Sequence, residues 1–151
     1  MMDTNTQPDA MELIRLADSV QSVSVRLRST TPTAESLGVR YYDAEAVVTS
    51  GFVNGTVHLG FDSEDLTDWS RLLEAIAGAE QEGGPVEPVR ADWPRAGSSA
   101  YLRFITEDPY VVEVHDGPST QIVVSVPLDM GEEWIAESSE RLAAVRAVLG
   151  E

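Results

Sequence analysis

The chain has 151 residues, 26 Asp and Glu against 10 Arg, no Lys and a formal charge of −16 at pH 7. Such a field repels nucleic acid and anionic membrane and favours cationic partners. The absence of Cys rules out disulfides and thiolate chemistry, and 42% hydrophobic residues describe a globular chain and not an acidic disordered tail.

Residues 1–10 are polar, contain Pro8 and lack the basic and apolar regions of a secretory signal, so they read as a flexible leader. No apolar run approaches the ~18 residues that suggest a membrane helix, and the expected location is cytoplasmic. Residues 11–150 read as a single domain. Glu12 to Ala17 and Val20 to Arg28 alternate as half-buried strands, Val23, Val25 and Leu27 facing one way. Ser29 to Gly38, with Pro32 and three threonines, reads as a loop. Tyr41 to Ser50 is a further strand, and Asn54-Gly55 signals a type I′ turn into Thr56 to Phe61.

Asp62 or Ser63 is placed to cap a helix whose stripe is Leu66, Trp69, Leu72, Leu73 and Ile76, with Glu64 and Asp65 complementing its dipole. Gly78 and Gly83-Gly84-Pro85 end it. Four more strands follow, Val86 to Trp93, Ser99 to Thr106, Tyr110 to Asp116 and Thr120 to Pro127, with turns at Asp108-Pro109 and Gly117-Pro118. A final helix from about Glu132 to Leu149 is lined by Trp134, Ile135, Leu142, Val145, Val148 and Leu149. In it Glu137 and Arg141 stand at i,i+4 spacing. Both halves pass from two strands through an acidic cap into a tryptophan-bearing helix. The unequal spacings Asp62 to Trp69 and Asp129 to Trp134 favour recurrence of a common α+β arrangement over duplication.

The chemistry-bearing residues are few. His58 and His115 both fall on the outward phase of a strand; with Glu45 they would form a carboxylate–imidazole site only if the sheet brought them together, and otherwise they are solvated surface residues. Asp62, Glu64, Asp65 and Asp68 invite a hard cation, but Thr67 and Leu73 stand where an EF-hand loop needs Gly and Glu, and acids in a first helical turn are explained by capping. There is no GxSxG elbow, P-loop or GxGxxG. Trp69 and Trp134 sit on apolar helix faces. Trp93, beside Arg95 at a strand-to-loop transition, is either a core-rim residue or an interface anchor.

The stretch Tyr42-Asp43-Ala44-Glu45-Ala46-Val47-Val48-Thr49-Ser50-Gly51-Phe52-Val53-Asn54-Gly55 continues through Glu64-Asp65-Leu66-Thr67-Asp68-Trp69 to Leu72-Leu73. With Val126-Pro127-Leu128-Asp129, Trp134-Ile135 and Arg141-Leu142-Ala143-Ala144-Val145, it resembles a domain of unknown function found in small uncharacterised proteins of high-GC bacteria. The likeness covers most of residues 11–149. More loosely, a strand, G-F-x-x-G, a strand and an acid-Leu-x-x-aromatic helix is similar to immunity proteins that neutralise polymorphic toxins, including the wall-associated type. These motifs are structural, and the resemblance transfers no catalytic residue.

The expected fold is α+β: one antiparallel sheet, or two packed sheets, of about seven or eight strands, with two amphipathic helices covering one side. The expected function is a non-enzymatic acidic binding protein, immunity-like, that masks a basic partner without nucleic acid, membrane or cofactor. The residues expected to contact that partner are Asp62, Glu64, Asp65, Asp68, Trp93, Glu107, Asp108, Glu113 and Asp116. The alternatives are a small-ligand or metal-binding module, or an enzyme built on carboxylates with His58 and His115.

Overall fold

Period-two alternation of apolar side chains builds two antiparallel sheets in the computed structural model, which describes residues 11–83, 90–95, 100–117 and 119–151. The first sheet contains β1 (Glu12–Ala17), β2 (Ser22–Leu27), β3 (Ala34–Ser36), β4 (Val39–Thr49) and β5 (Gly55–Asp62). The long β4 is its spine: β2 and β3 lie in succession along one side of it and β5 along the other. The second sheet runs β6 (Arg90–Trp93), β7 (Ala100–Ile105), β8 (Tyr110–Asp116), β9 (Ile122–Leu128) in simple meander order. Helix α1 (Ser63–Gln81) joins the sheets and contacts β4, β5 and β6; α2 (Trp134–Leu149) lies against β1 and α1. The α+β class holds, and among the described residues no helix is long and apolar enough to cross a membrane. The expectations for residues 1–10, for the start of the strand before Arg90, for Ser99 and for Pro118 lie outside the described residues.

Four local readings are corrected. Ser29 to Gly38 is more than a loop: it contains β3, turned into β4 by Leu37-Gly38, both at positive φ (54° and 82°). A Leu in the left-handed region carries no turn signal, so this hairpin, the reason for a ninth strand, was invisible. Conversely, Asn54-Gly55 is not a type I′ turn, since neither residue has positive φ. Ser50 organises that loop instead: its Oγ accepts from Phe52 N (3.0 Å) and Val53 N (2.7 Å), and Asn54 Oδ1 accepts from Ser50 N (3.3 Å). In β1 both Leu13 and Ile14 are buried, because a register shift after Glu12 breaks the alternation. On α2, Val148 is 54% exposed while Ser138 is buried, and Glu137 and Arg141 form no ion pair.

The core is continuous between the two sheets. An aromatic chain runs through it: Tyr42 stacks on Phe61 (5.4 Å between centroids), Phe61 meets Trp93 (5.8 Å), Trp93 meets Trp69 (6.4 Å) and Trp69 meets Phe104 (5.1 Å). Offset and tilted pairs of this kind add about 0.5–1.5 kcal/mol each beyond their buried area. Polar ties close the seams. Gln21 Nε2 donates to Pro127 O (2.6 Å), Asp129 N donates to Asp18 Oδ2 (3.1 Å), and Arg40 pairs with Glu151 (3.0 Å). Glu151 also accepts from the Tyr42 hydroxyl at 2.7 Å, and burial with that carboxylate pushes the phenol up to about 12.

Candidate functional site

The first acidic group, at the start of α1, is largely structural. Asp62 Oδ1 accepts from Asp65 N (2.9 Å) while Asp65 Oδ2 accepts from Asp62 N (3.0 Å), a reciprocal capping box. Asp65 Oδ1 further accepts from Arg95 N (3.1 Å), and Asp65 O accepts from Trp93 Nε1 (2.8 Å). This knot pins α1 to the segment after β6. Asp65 is 2% exposed and Trp93 1%. Trp93 is therefore core, wedged between Phe61 and Trp69, and neither it nor Asp65 presents a side chain to a docking partner on this surface. Burial raises the Asp65 carboxyl to about 6, outweighing the two backbone N–H bonds that favour the anion; the nearby Asp62 charge adds to the rise. Asp68 faces Arg71 and Arg95, each at 3.8 Å, and only Glu64 of this group is exposed.

The second group is different. Glu107 and Asp108 are exposed in the turn between β7 and β8, and Tyr110 just after it gathers elements from elsewhere. Its hydroxyl donates to Glu80 near the end of α1, and its ring meets Trp134, the first residue of α2, edge-on at 5.5 Å. Burial, with Glu80 second, raises the Tyr110 phenol. The Tyr110 corner thus joins Glu80 of α1 to Trp134 of α2, and exposed Glu82 just after α1, Glu107 and Asp108 in the turn and Glu133 before α2 stand within three residues of Glu80, Tyr110 or Trp134. The last turn of α1 holds no basic residue, so the negative end of its dipole adds to these carboxylates. At this corner lies a crevice of about 60 Å³, walled by Leu72, Ala75, Ile76, Ala79 and Glu80 of α1 and by Thr106 and Tyr110. An apolar notch with a carboxylate in its wall can take the aliphatic stem of a cationic side chain and pair its head.

The two groups do not meet. They flank opposite ends of the 19-residue α1, about 28 Å apart. Glu113 and Asp116 belong to neither: Glu113 pairs with His115 Nε2 (2.9 Å) and Asp116 accepts from Thr120 Oγ1 (2.8 Å). The histidines stand on different sheets. His58 bonds to Asp43, while the Glu45 opposite it is taken by Arg26 at 2.9 Å. Among the described residues no group of three or more His, Asp and Glu is arranged to hold a metal ion.

Sequence reading missed the Tyr110 corner, because Glu80, Tyr110 and Trp134 are joined only by tertiary packing. It also missed a row on the outer face of the second sheet. There Asp92 holds Arg103 in a two-pronged pair (2.7 and 3.1 Å), Arg103 lies over Tyr101 (5.7 Å), and Tyr101 stacks on His115 (4.5 Å).

The class defined by these features is a two-sheet α+β domain with an acidic, notch-bearing corner. Residues 11–150 match the model of a family of unknown function, DUF5959, and the chain belongs to that family. No curated protein and no solved structure matches it.

Proposed function

We propose that this protein is a non-enzymatic binding protein that masks a basic partner, and that the Tyr110 corner is its docking surface. The observation that carries the reading is the apolar crevice lined by Glu80 and Tyr110, with the exposed acids Glu82, Glu107, Asp108 and Glu133 each within three residues of Glu80, Tyr110 or Trp134. Apolar centre and charged rim are the anatomy of a protein interface, and a field of this sign speeds encounter with a cationic surface. An immunity-like role in the cytoplasm of a high-GC bacterium, neutralising a cationic toxin domain, is the specific form of this proposal.

The test compares matched charge reversals in affinity capture from native lysate. Glu107→Arg with Asp108→Arg alters the corner; Glu35→Arg with Glu64→Arg changes the net charge equally elsewhere. The same basic protein captured by the native chain and by the second variant, and lost by the first, supports the proposal. Equal loss in both reduces the effect to bulk charge and refutes a localised site.

A further inference from the structure

We propose that the groove walled by Arg90, Arg95 and Arg103 at the β6 edge of the second sheet binds the phosphate group of a small phosphate monoester. Three of the ten arginines of a chain with 26 acids converge there on a cleft of about 670 Å³, and among the described residues the only carboxylate lining it is Asp92. The register explains the convergence. Arg90 and Asp92 share one face of β6, and Arg103 is the cross-strand partner of Asp92, so the two arginines are diagonal neighbours. Arg103 is held in place by its two bonds to Asp92 and by the Tyr101 ring beneath it, so little side-chain freedom remains to be lost on binding. Arg95 is anchored by its backbone bond to Asp65, and its guanidinium meets Asp68 only at 3.8 Å. Arg90 pairs with no carboxylate among the described residues.

Planar guanidinium forks match the oxygens of a phosphate, and the cleft volume lies within the range of organic-ligand sites. The net charge selects against a longer polyanion. A nucleic acid would run out over the acidic surface, whereas a compact dianion stays within the cleft that the three arginines line. This site is separate from the Tyr110 corner and stands or falls independently of it.

The test is NMR titration of the full chain with phenyl phosphate at about 0.15 M NaCl, following the arginine Nε–Hε signals, with a short single-stranded oligonucleotide as the competing probe. Saturable shifts confined to Arg90, Arg95 and Arg103, weakened about tenfold or more in Arg90→Ala with Arg95→Ala at unchanged melting temperature, are expected. Both substituted residues are exposed, so folding is preserved. Absence of saturation, the same affinity in the double variant, or tighter binding of the oligonucleotide than of phenyl phosphate overturns the proposal.

Discussion

The two ends of α1 carry similar acidic sequences and do opposite things. At its start, Asp62 and Asp65 accept backbone N–H groups and are locked into the fold, with Trp93 packed above them. At its end, Glu80, Glu82, Glu107 and Asp108 stay exposed around Tyr110. A carboxylate whose oxygens face backbone donors supports structure; one that faces water beside an apolar notch is available to a partner. Local acid density does not distinguish them. The partners supplied by distant segments do.

Substitutions sharpen this contrast. The largest effect is expected at Trp93. Trp93→Ala removes a buried ring and a hydrogen bond and should lower unfolding free energy by about 3–5 kcal/mol in denaturant titration, as befits a core residue and not an interface anchor. Asp65→Ala should cost about 1–3 kcal/mol by the same assay, since the part-buried N–H groups of Asp62 and Arg95 lose their acceptor. Glu107→Ala with Asp108→Ala at the other end should stay within about 0.5 kcal/mol of the native chain. A large loss there would place those acids in the structural class.

The same contrast has a pH signature. The folded Asp65 value, about 6, lies above its ordinary 3.8, so its contribution to stability is fully present below 3.8 and is lost as pH rises through 6. Lowering pH from about 7 to about 5 should therefore raise the melting temperature of the native chain, and raise it less in Asp65→Asn. Asp18 and Asp92 are shifted the other way. Backbone N–H donors of Val20, Gln21 and Asp129 lower Asp18, and Arg103 lowers Asp92, so their contributions are present above 3.8 and fade only as pH falls through their depressed values. The gain on acidification should accordingly reverse in strong acid. The smallest expected effect is that of salt: raising NaCl from about 10 mM to about 300 mM should increase the melting temperature by screening the repulsion among 26 acids, and an unchanged value would mean that the charges are locally compensated.

The parts of the fold that declare themselves locally were legible in the sequence. Val23, Val25 and Leu27 are buried as expected, although Ser22 and Ser24 between them are buried too, and Leu66, Trp69, Leu73 and Ile76 form the buried stripe of α1. Asp62 caps that helix as its position implies. What escaped depends on backbone geometry that side-chain type does not encode, such as the left-handed Leu37, or on pairings between remote segments. Trp93 is the clearest case: beside Arg95 it resembles an anchor, and only the arrival of Asp65, 28 residues earlier, shows its indole N–H to be satisfied inside. The Tyr110 corner is the complement, half visible as Glu107-Asp108 and completed by Glu80 and Trp134.

The proposed docking surface lies at the Tyr110 end of α1 and not at its capped start. Backbone hydrogen-exchange footprinting of the protein with its captured basic partner tests this directly. New protection is expected at residues 76–83, 105–112 and 132–137, with residues 62–68 unchanged; protection at 62–68 with none around Tyr110 would put the docking surface at the capped start instead.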